Sequence, residues 1–221
     1  YWPEENSFDC VTVANDSVSG LAPANEFLAV FKKNAHFLVS GLLAATQYRV
    51  DLVSTDIGCV AHATIKEIRG RPVFCSRNGP YRLPAGGIAE AIGENIFPVF
   101  STPAFNSDYE LILSRAVAEN DEFEEKYVLY LPTESDQGGT IYANDNSRTF
   151  VWDYYRERVG DGLVWFEWSN INASGGMVVD GEELRWVEVA YSVPVSTSRF
   201  NLYRRGYRND QYDQADHAEP I

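Results

Sequence analysis

Two short aromatic segments hold the side chains best suited to chemistry: Glu167 within Trp165-Phe166-Glu167-Trp168, and Glu188 within Trp186-Val187-Glu188. Glycoside hydrolysis commonly uses two carboxyl groups, and the face of a sugar stacks well on an aromatic ring. Side chains alternate across an extended strand, so Trp165 would accompany Glu167 on one face while Phe166 and Trp168 share the other. The same letters describe an aromatic core strand whose glutamate points to solvent. No second motif tips the balance toward catalysis, because GxSxG, HExxH, GxxxxGK[ST] and GxGxxG are all absent.

The remaining reactive residues are scattered. His36, His62 and His217 are far apart in sequence and have no neighbouring pattern of Cys or carboxylate ligands, so they read as satisfied core or surface histidines. Cys10, Cys59 and Cys75 fit no CxxC spacing, and an odd count cannot close completely into disulfides within the chain. Cys59 and Cys75 lie in apolar segments, where a free thiol packs as a small hydrophobe. The acidic run Glu119, Asp121, Glu122, Glu124 and Glu125 lacks the spacing and central glycine of an EF-hand loop and reads as a solvated connection. Arg204, Arg205 and Arg208 form a small basic cluster that Asp210, Asp213, Asp216 and Glu219 offset. Two N-glycosylation tripeptides, Asn15-Asp16-Ser17 and Asn172-Ala173-Ser174, add slight weight to a secreted setting. Catalytic, cofactor-binding and metal-binding residues are therefore all expected to be absent.

Composition sets the bounds on class. The chain has 221 residues, 45% hydrophobic and 14% aromatic, which is ample for one folded core. Its 18 Lys and Arg against 32 Asp and Glu give a formal charge of −14, which repels polyanions and argues against a broad nucleic-acid surface. No run of about 18 apolar residues is present, so no membrane-spanning helix is expected. The chain starts at Tyr1 without a signal-peptide pattern and is read as a product of cleavage from a larger polypeptide.

The elements that would position these residues are mostly strands. Alternation and β-propensity predict strands over 8–13, 47–54, 59–68, 108–117, 126–131, 149–154, 163–168 and 184–191. Asp161-Gly162 and Asp180-Gly181 supply tight turns, the second closing a hairpin between Met177-Val178-Val179 and the strand from Leu184. Gly86-Gly87, Gly138-Gly139 and Gly175-Gly176 mark further loops. A helix is expected over 25–34, with Asn25 as N-cap and Phe27, Leu28, Val30 and Phe31 forming a broad apolar side. A turn of helix is expected near 88–92.

Two passages resemble those of a known family. Ser40-Gly41-Leu42 leading to Tyr48-Arg49-Val50, and Val187-Glu188-Val189-Ala190-Tyr191-Ser192 leading to Ser198-Arg199-Phe200, are similar to segments of jelly-roll capsid proteins of picorna-like, non-enveloped positive-strand RNA viruses. Ala190 stands where the second pattern has proline. The resemblance implies an all-β, two-sheet, eight-stranded jelly-roll sandwich over 1–203 with a polar arm over 204–221. It implies a non-enzymatic structural subunit that assembles with related subunits into an icosahedral shell, is located in the virion, and meets a host receptor or glycan. Tyr203, Tyr207 and Tyr212 are then candidate subunit-interface residues, each combining area with a polar end. The rival expectation is a secreted or surface carbohydrate-binding β-sandwich, or a glycosidase, stacking sugars on Trp165, Trp168 and Trp186 and using Glu167 and Glu188.

Overall fold

The computed structural model describes residues 10–11, 16–41, 48–101, 113–131 and 148–168, together with the backbone of strands 175–179, 183–191, 198–204 and 219–220. The chain divides into two compact units, Tyr1–Ile92 and Gly93–Ile221.

The first unit contains two antiparallel meanders. One is β1 (Val18–Ala24), β2 (Phe27–Lys32), β3 (His36–Ser40) and β4 (Arg49–Ser54), and the other is β5 (Lys66–Ile68), β6 (Arg71–Ser76), β7 (Gly79–Arg82) and β8 (Glu90–Ala91). In the second unit, β9 (Val117–Asp121), β10 (Lys126–Leu131), β11 (Arg148–Asp153) and β12 (Trp165–Trp168) form one sheet. A further sheet comprises β13 (Gly175–Val179), β14 (Glu183–Tyr191), β15 (Ser198–Arg204) and β16 (Glu219–Pro220). Two short helices, α1 (Phe97–Ser101) and α2 (Tyr154–Val159), accompany this unit.

This topology corrects the jelly-roll expectation. A jelly roll interleaves strands distant in sequence through Greek-key connections, whereas among the described strands every hydrogen-bonded neighbour is the next strand along the chain. Each sheet is an up-and-down meander of four strands, the kind of unit that serves as a propeller blade. The two capsid-like passages fall in β3–β4 and β14–β15, which are adjacent strands of separate meanders.

The expected helix over 25–34 is a strand hairpin. Asn25 takes φ 55°, the left-handed conformation that a short polar residue tolerates, and lets Ala24 pair with Phe27. Beyond it, β2 is buried on both faces. Ala29 and Phe31 pack with Phe74 and Leu83 on one side, while Val30 joins Phe37 and Val39 on the other. A strand covered on both faces is an unbroken apolar run, which periodicity cannot distinguish from a broad helical face. The 88–92 segment is likewise extended, with Ala91 opposite Tyr81.

Two expected strands are shorter than the letters suggested. Residues His62–Thr64 form a 3-10 turn inside 59–68, and Thr64 explains it: its hydroxyl donates to the Ala61 carbonyl at 2.6 Å and accepts from the Cys75 amide at 3.0 Å. A turn at 113–116, closed by the Ala116 amide on the Leu113 carbonyl at 2.9 Å, precedes β9, so only Val117 of the described part of 108–117 is strand. In 8–13, Cys10 and Val11 are outside any strand, and the other positions lie outside the described residues.

Side chains larger than alanine fill both units. Phe31, Phe74 and Leu83 are fully buried in the first, as are Trp152, Tyr127, Tyr130 and Leu129 in the second. Each such side chain contributes on the order of 2 kcal/mol of burial free energy.

Candidate functional site

One of the two aromatic segments singled out for chemistry, Trp165–Trp168, is β12, the end strand of the β12-β11-β10-β9 sheet. Of its four residues, WFEW, Trp165 is buried, Phe166 and Glu167 are exposed and Trp168 is half-buried. Trp165 is 9% exposed, stacks on Trp152 with ring centroids 6.2 Å apart and planes 17° apart, and meets Tyr127 edge-on at 6.3 Å. It is a core residue, which removes it from the set of sugar-stacking side chains. Phe166 is 36% exposed on the other face, and its ring lies 6.2 Å from the half-buried Trp168 ring at 58°.

Glu167 is committed to an ion pair. Its carboxylate accepts two bonds from Arg148 on the neighbouring strand, from Nε at 2.7 Å and Nη2 at 2.8 Å. The register places Phe150 opposite Glu167, and the Arg148 guanidinium lies 4.8 Å from the Phe150 ring centre. A planar guanidinium matches a carboxylate in this two-bond geometry and also stacks on an aromatic face. The Arg148 hydrogen bonds hold the Glu167 carboxyl below its ordinary range against a smaller opposing effect of burial, while the same bonds raise the Arg148 guanidinium. A glycosidase acid must hold a proton near neutral pH, which is the opposite shift. Glu188 is in β14, in another sheet, with its backbone opposite Asn201. Its side chain lies outside the described residues, as do those of Trp186 and Tyr203.

The structure separates the other candidates. His36 is fully buried in β3, with Nδ1 2.8 Å from the Ile57 carbonyl and Nε2 3.0 Å from the Gly87 carbonyl, so it ties two loops to the sheet. Gly87 delivers its carbonyl from φ 78°, and a β-carbon there would come within 2.3 Å of Leu38 Cδ1. His62 is exposed, and His217 lies outside the described residues. Cys59 and Cys75 are buried free thiols. Burial pushes the Cys59 thiol up to about 11 and also raises Cys75. Among the described residues no three His, Cys, Asp or Glu side chains come together to hold a metal.

The acidic run is the end of β9 and the turn to β10. Asp121 accepts from the Glu124 amide at 3.1 Å, Glu124 pairs with Lys126, and Glu125 accepts from Arg158 Nε at 3.2 Å and Nη2 at 3.0 Å. The interface candidates are divided: Tyr203 lies in β15, opposite Trp186 and Pro220, while Tyr207 and Tyr212 lie outside the described residues. Arg204 is also in β15, opposite Arg185 and Glu219, and Arg205 and Arg208 lie outside.

Arg148, the residue that determines what Glu167 can do, is not marked by any motif in the sequence. It stands just before the predicted 149–154 strand, and the register that brings it beside Glu167 depends on pairing across α2. Phe166 was legible only as the partner of Trp168 on the face opposite the glutamate.

No family model matches the sequence, and no curated protein matches it. Among solved structures, the N-terminal domain of Nup159 is similar at 11% identity and a TM-score of 0.39, over 83% of this chain and 43% of that one. PorZ, an essential bacterial surface component of the type-IX secretion system of Porphyromonas gingivalis, is similar at 9% identity and a TM-score of 0.36, over 93% of this chain and 28% of its own. The chain thus spans less than half the length of either. The consecutive-strand meanders correct the capsid resemblance and the expectations drawn from it: a shell subunit, capsid partners and a virion location.

Proposed function

We propose that this chain is a non-enzymatic carbohydrate-binding β module that works in a secreted or surface setting. The observation that carries the proposal is the Phe166–Trp168 pair, two aromatic rings side by side on one face of an end strand, with Phe166 open to solvent. An aromatic face offers area to the C–H face of a sugar at little cost in conformational freedom. Behind the pair, Arg148 and Glu167 tie β11 to β12, which keeps the strand bearing the rings in place. The protonation state that the ion pair imposes on Glu167 suits a clamp and opposes a catalytic acid.

The test is affinity electrophoresis in gels containing xylan or mannan, with pull-down on cellulose, chitin and peptidoglycan. The expected result is retention by at least one polymer, weakened about tenfold by Phe166→Ala or Trp168→Ala, the loss that follows from about 1.4 kcal/mol of stacking. Release of reducing ends from the bound polymer would contradict the non-enzymatic reading. Retention untouched by either substitution would remove the aromatic pair as its site.

A further inference from the structure

A second surface lies at one end of the same sheet, where the β9–β10 turn meets α2. The two are fastened together by several bonds. The Tyr154 amide donates to the Glu125 carbonyl at 3.0 Å, the Tyr154 hydroxyl donates to Asn120 Oδ1 at 3.0 Å, and Arg158 bonds Glu125 through two nitrogens. Asp153 caps α2 by accepting from the Arg156 amide at 3.2 Å, and Gly160 ends it at φ 98°.

This well-held corner exposes apolar side chains. Phe123 in the turn is 62% exposed, and Tyr155 and Val159 on α2 are 48% and 53% exposed. Tyr155 and Val159 are four residues apart and so lie on one side of the helix. The Arg158 guanidinium lies 4.9 Å from the Tyr155 ring centre, and because Glu125 holds that guanidinium, the ring is fixed on one face. Phe123 lies two residues before Glu125, and Tyr155 and Val159 lie either side of Arg158 in the sequence, so the Arg158–Glu125 pair brings the segments bearing all three to one corner.

The surrounding charge identifies the occupant. Segments 119–126 and 153–161 contain eight Asp and Glu residues and three Lys and Arg. All three cations are already engaged: Lys126 with Glu124, Arg156 with Asp153, and Arg158 with Glu125. The corner therefore presents apolar side chains inside a negative field, to which Glu122, Glu157 and Asp161 contribute. A polyanion or an anionic membrane is repelled by such a field, and a neutral glycan gains nothing from it.

We infer that the β9–β10 turn and α2 form a docking surface for a basic amphipathic segment of a protein partner. The partner's apolar stripe meets Phe123, Tyr155 and Val159, and its lysines and arginines meet the acidic rim. This surface is separate from the glycan proposal, which uses Phe166 and Trp168. The arrangement follows the usual anatomy of recognition, with a few buried apolar anchors carrying affinity and rim charges setting on-rate and partner choice.

The test is fluorescence anisotropy on the full chain with a labelled amphipathic Lys/Leu peptide of about 14 residues, against a Glu/Leu peptide of the same pattern, at about 0.15 M salt. Binding of the Lys/Leu peptide and not the Glu/Leu peptide is expected. Phe123→Ser with Tyr155→Ser, and separately Glu122→Lys with Glu157→Lys, should each weaken it about tenfold or more. Val159→Lys, on the exposed side of α2, gives a single-site version that leaves the turn intact. Glu26→Lys with Glu67→Lys, both exposed and in the other unit, makes the same change in net charge and should stay within about twofold of the parent. An equal loss in that control, no loss in the aromatic pair, or no binding of the Lys/Leu peptide would overturn the inference.

Discussion

Replacing Arg148 and Glu167 singly and together tests whether the pair is a clamp. Both side chains are partly exposed, Arg148 at 36% and Glu167 at 42%, so most of the Coulomb energy of a close pair is screened. Two unit charges about 4 Å apart attract by about 1 kcal/mol in water and about 4 kcal/mol at an effective dielectric of about 20. Ordering two long side chains offsets much of the larger figure, and exposed pairs usually yield about 0.2–1 kcal/mol. The two-bond geometry on adjacent strands puts this pair near the top of that range. A cycle of Arg148→Met, Glu167→Gln and the double variant, read by urea unfolding, should return a coupling energy of about 1 kcal/mol, reduced by roughly half in about 1 M salt. The pH dependence has a definite sign. The Glu167 carboxyl is held below its unfolded value by Arg148, so the stabilisation is complete above the ordinary Glu value of about 4.3 and is lost as pH falls through the lower folded value. Coupling indistinguishable from zero, or coupling that persists unchanged once the Glu167 carboxyl is protonated, would show that the pair is no clamp.

Three further outcomes follow from the packing. At Gly58 a β-carbon would come within 2.2 Å of the Lys32 carbonyl oxygen and 2.5 Å of the Ala35 nitrogen, both backbone atoms, so Gly58→Ala should cost about 3 kcal/mol or more. Gly86→Ala, where a β-carbon meets nothing within 4 Å, should stay within about 0.5 kcal/mol, and urea midpoints would read both. With Cys59 fully buried and its thiol pushed up to about 11, a disulfide-exchange reagent at about pH 8 should label it at least about a hundredfold more slowly than an unfolded thiol. Because this folded value lies above the unfolded one of about 8.5, its contribution to stability is complete below about pH 8.5 and is lost as pH rises toward 11, which alkaline unfolding curves would show. Asp153→Ala removes the cap of α2 and should cost about 1 kcal/mol in thermal unfolding, with loss of peptide binding at the α2 corner.

Strand positions in the second unit were legible from their β-branched and aromatic residues, although β10 and β11 are buried on both faces: 126–131 is β10, and 149–154 and 163–168 lie within a residue or two of β11 and β12. The hairpin around Asp180-Gly181 was legible from its turn residues, with Val179 opposite Glu183. The first unit was harder. In β2 both faces are apolar, and in 59–68 the Thr64 hydroxyl interrupts a segment whose letters favour a strand. A list of strands also leaves their pairing open. The same elements fit a jelly roll or a row of meanders, and the difference lies in connections that periodicity does not encode. For the same reason Glu167 looked available for chemistry, since its fate depended on a partner 19 residues earlier in the chain.

Whether the aromatic pair on β12 holds a glycan is decided by the retention of the parent chain, Phe166→Ala and Trp168→Ala in the polysaccharide gels and pull-downs, with thermal unfolding checked for all three proteins. The parent should be retained by at least one polymer, and both variants about tenfold more weakly. Equal behaviour of all three, or no retention by any polymer, would contradict a glycan-binding role for the pair.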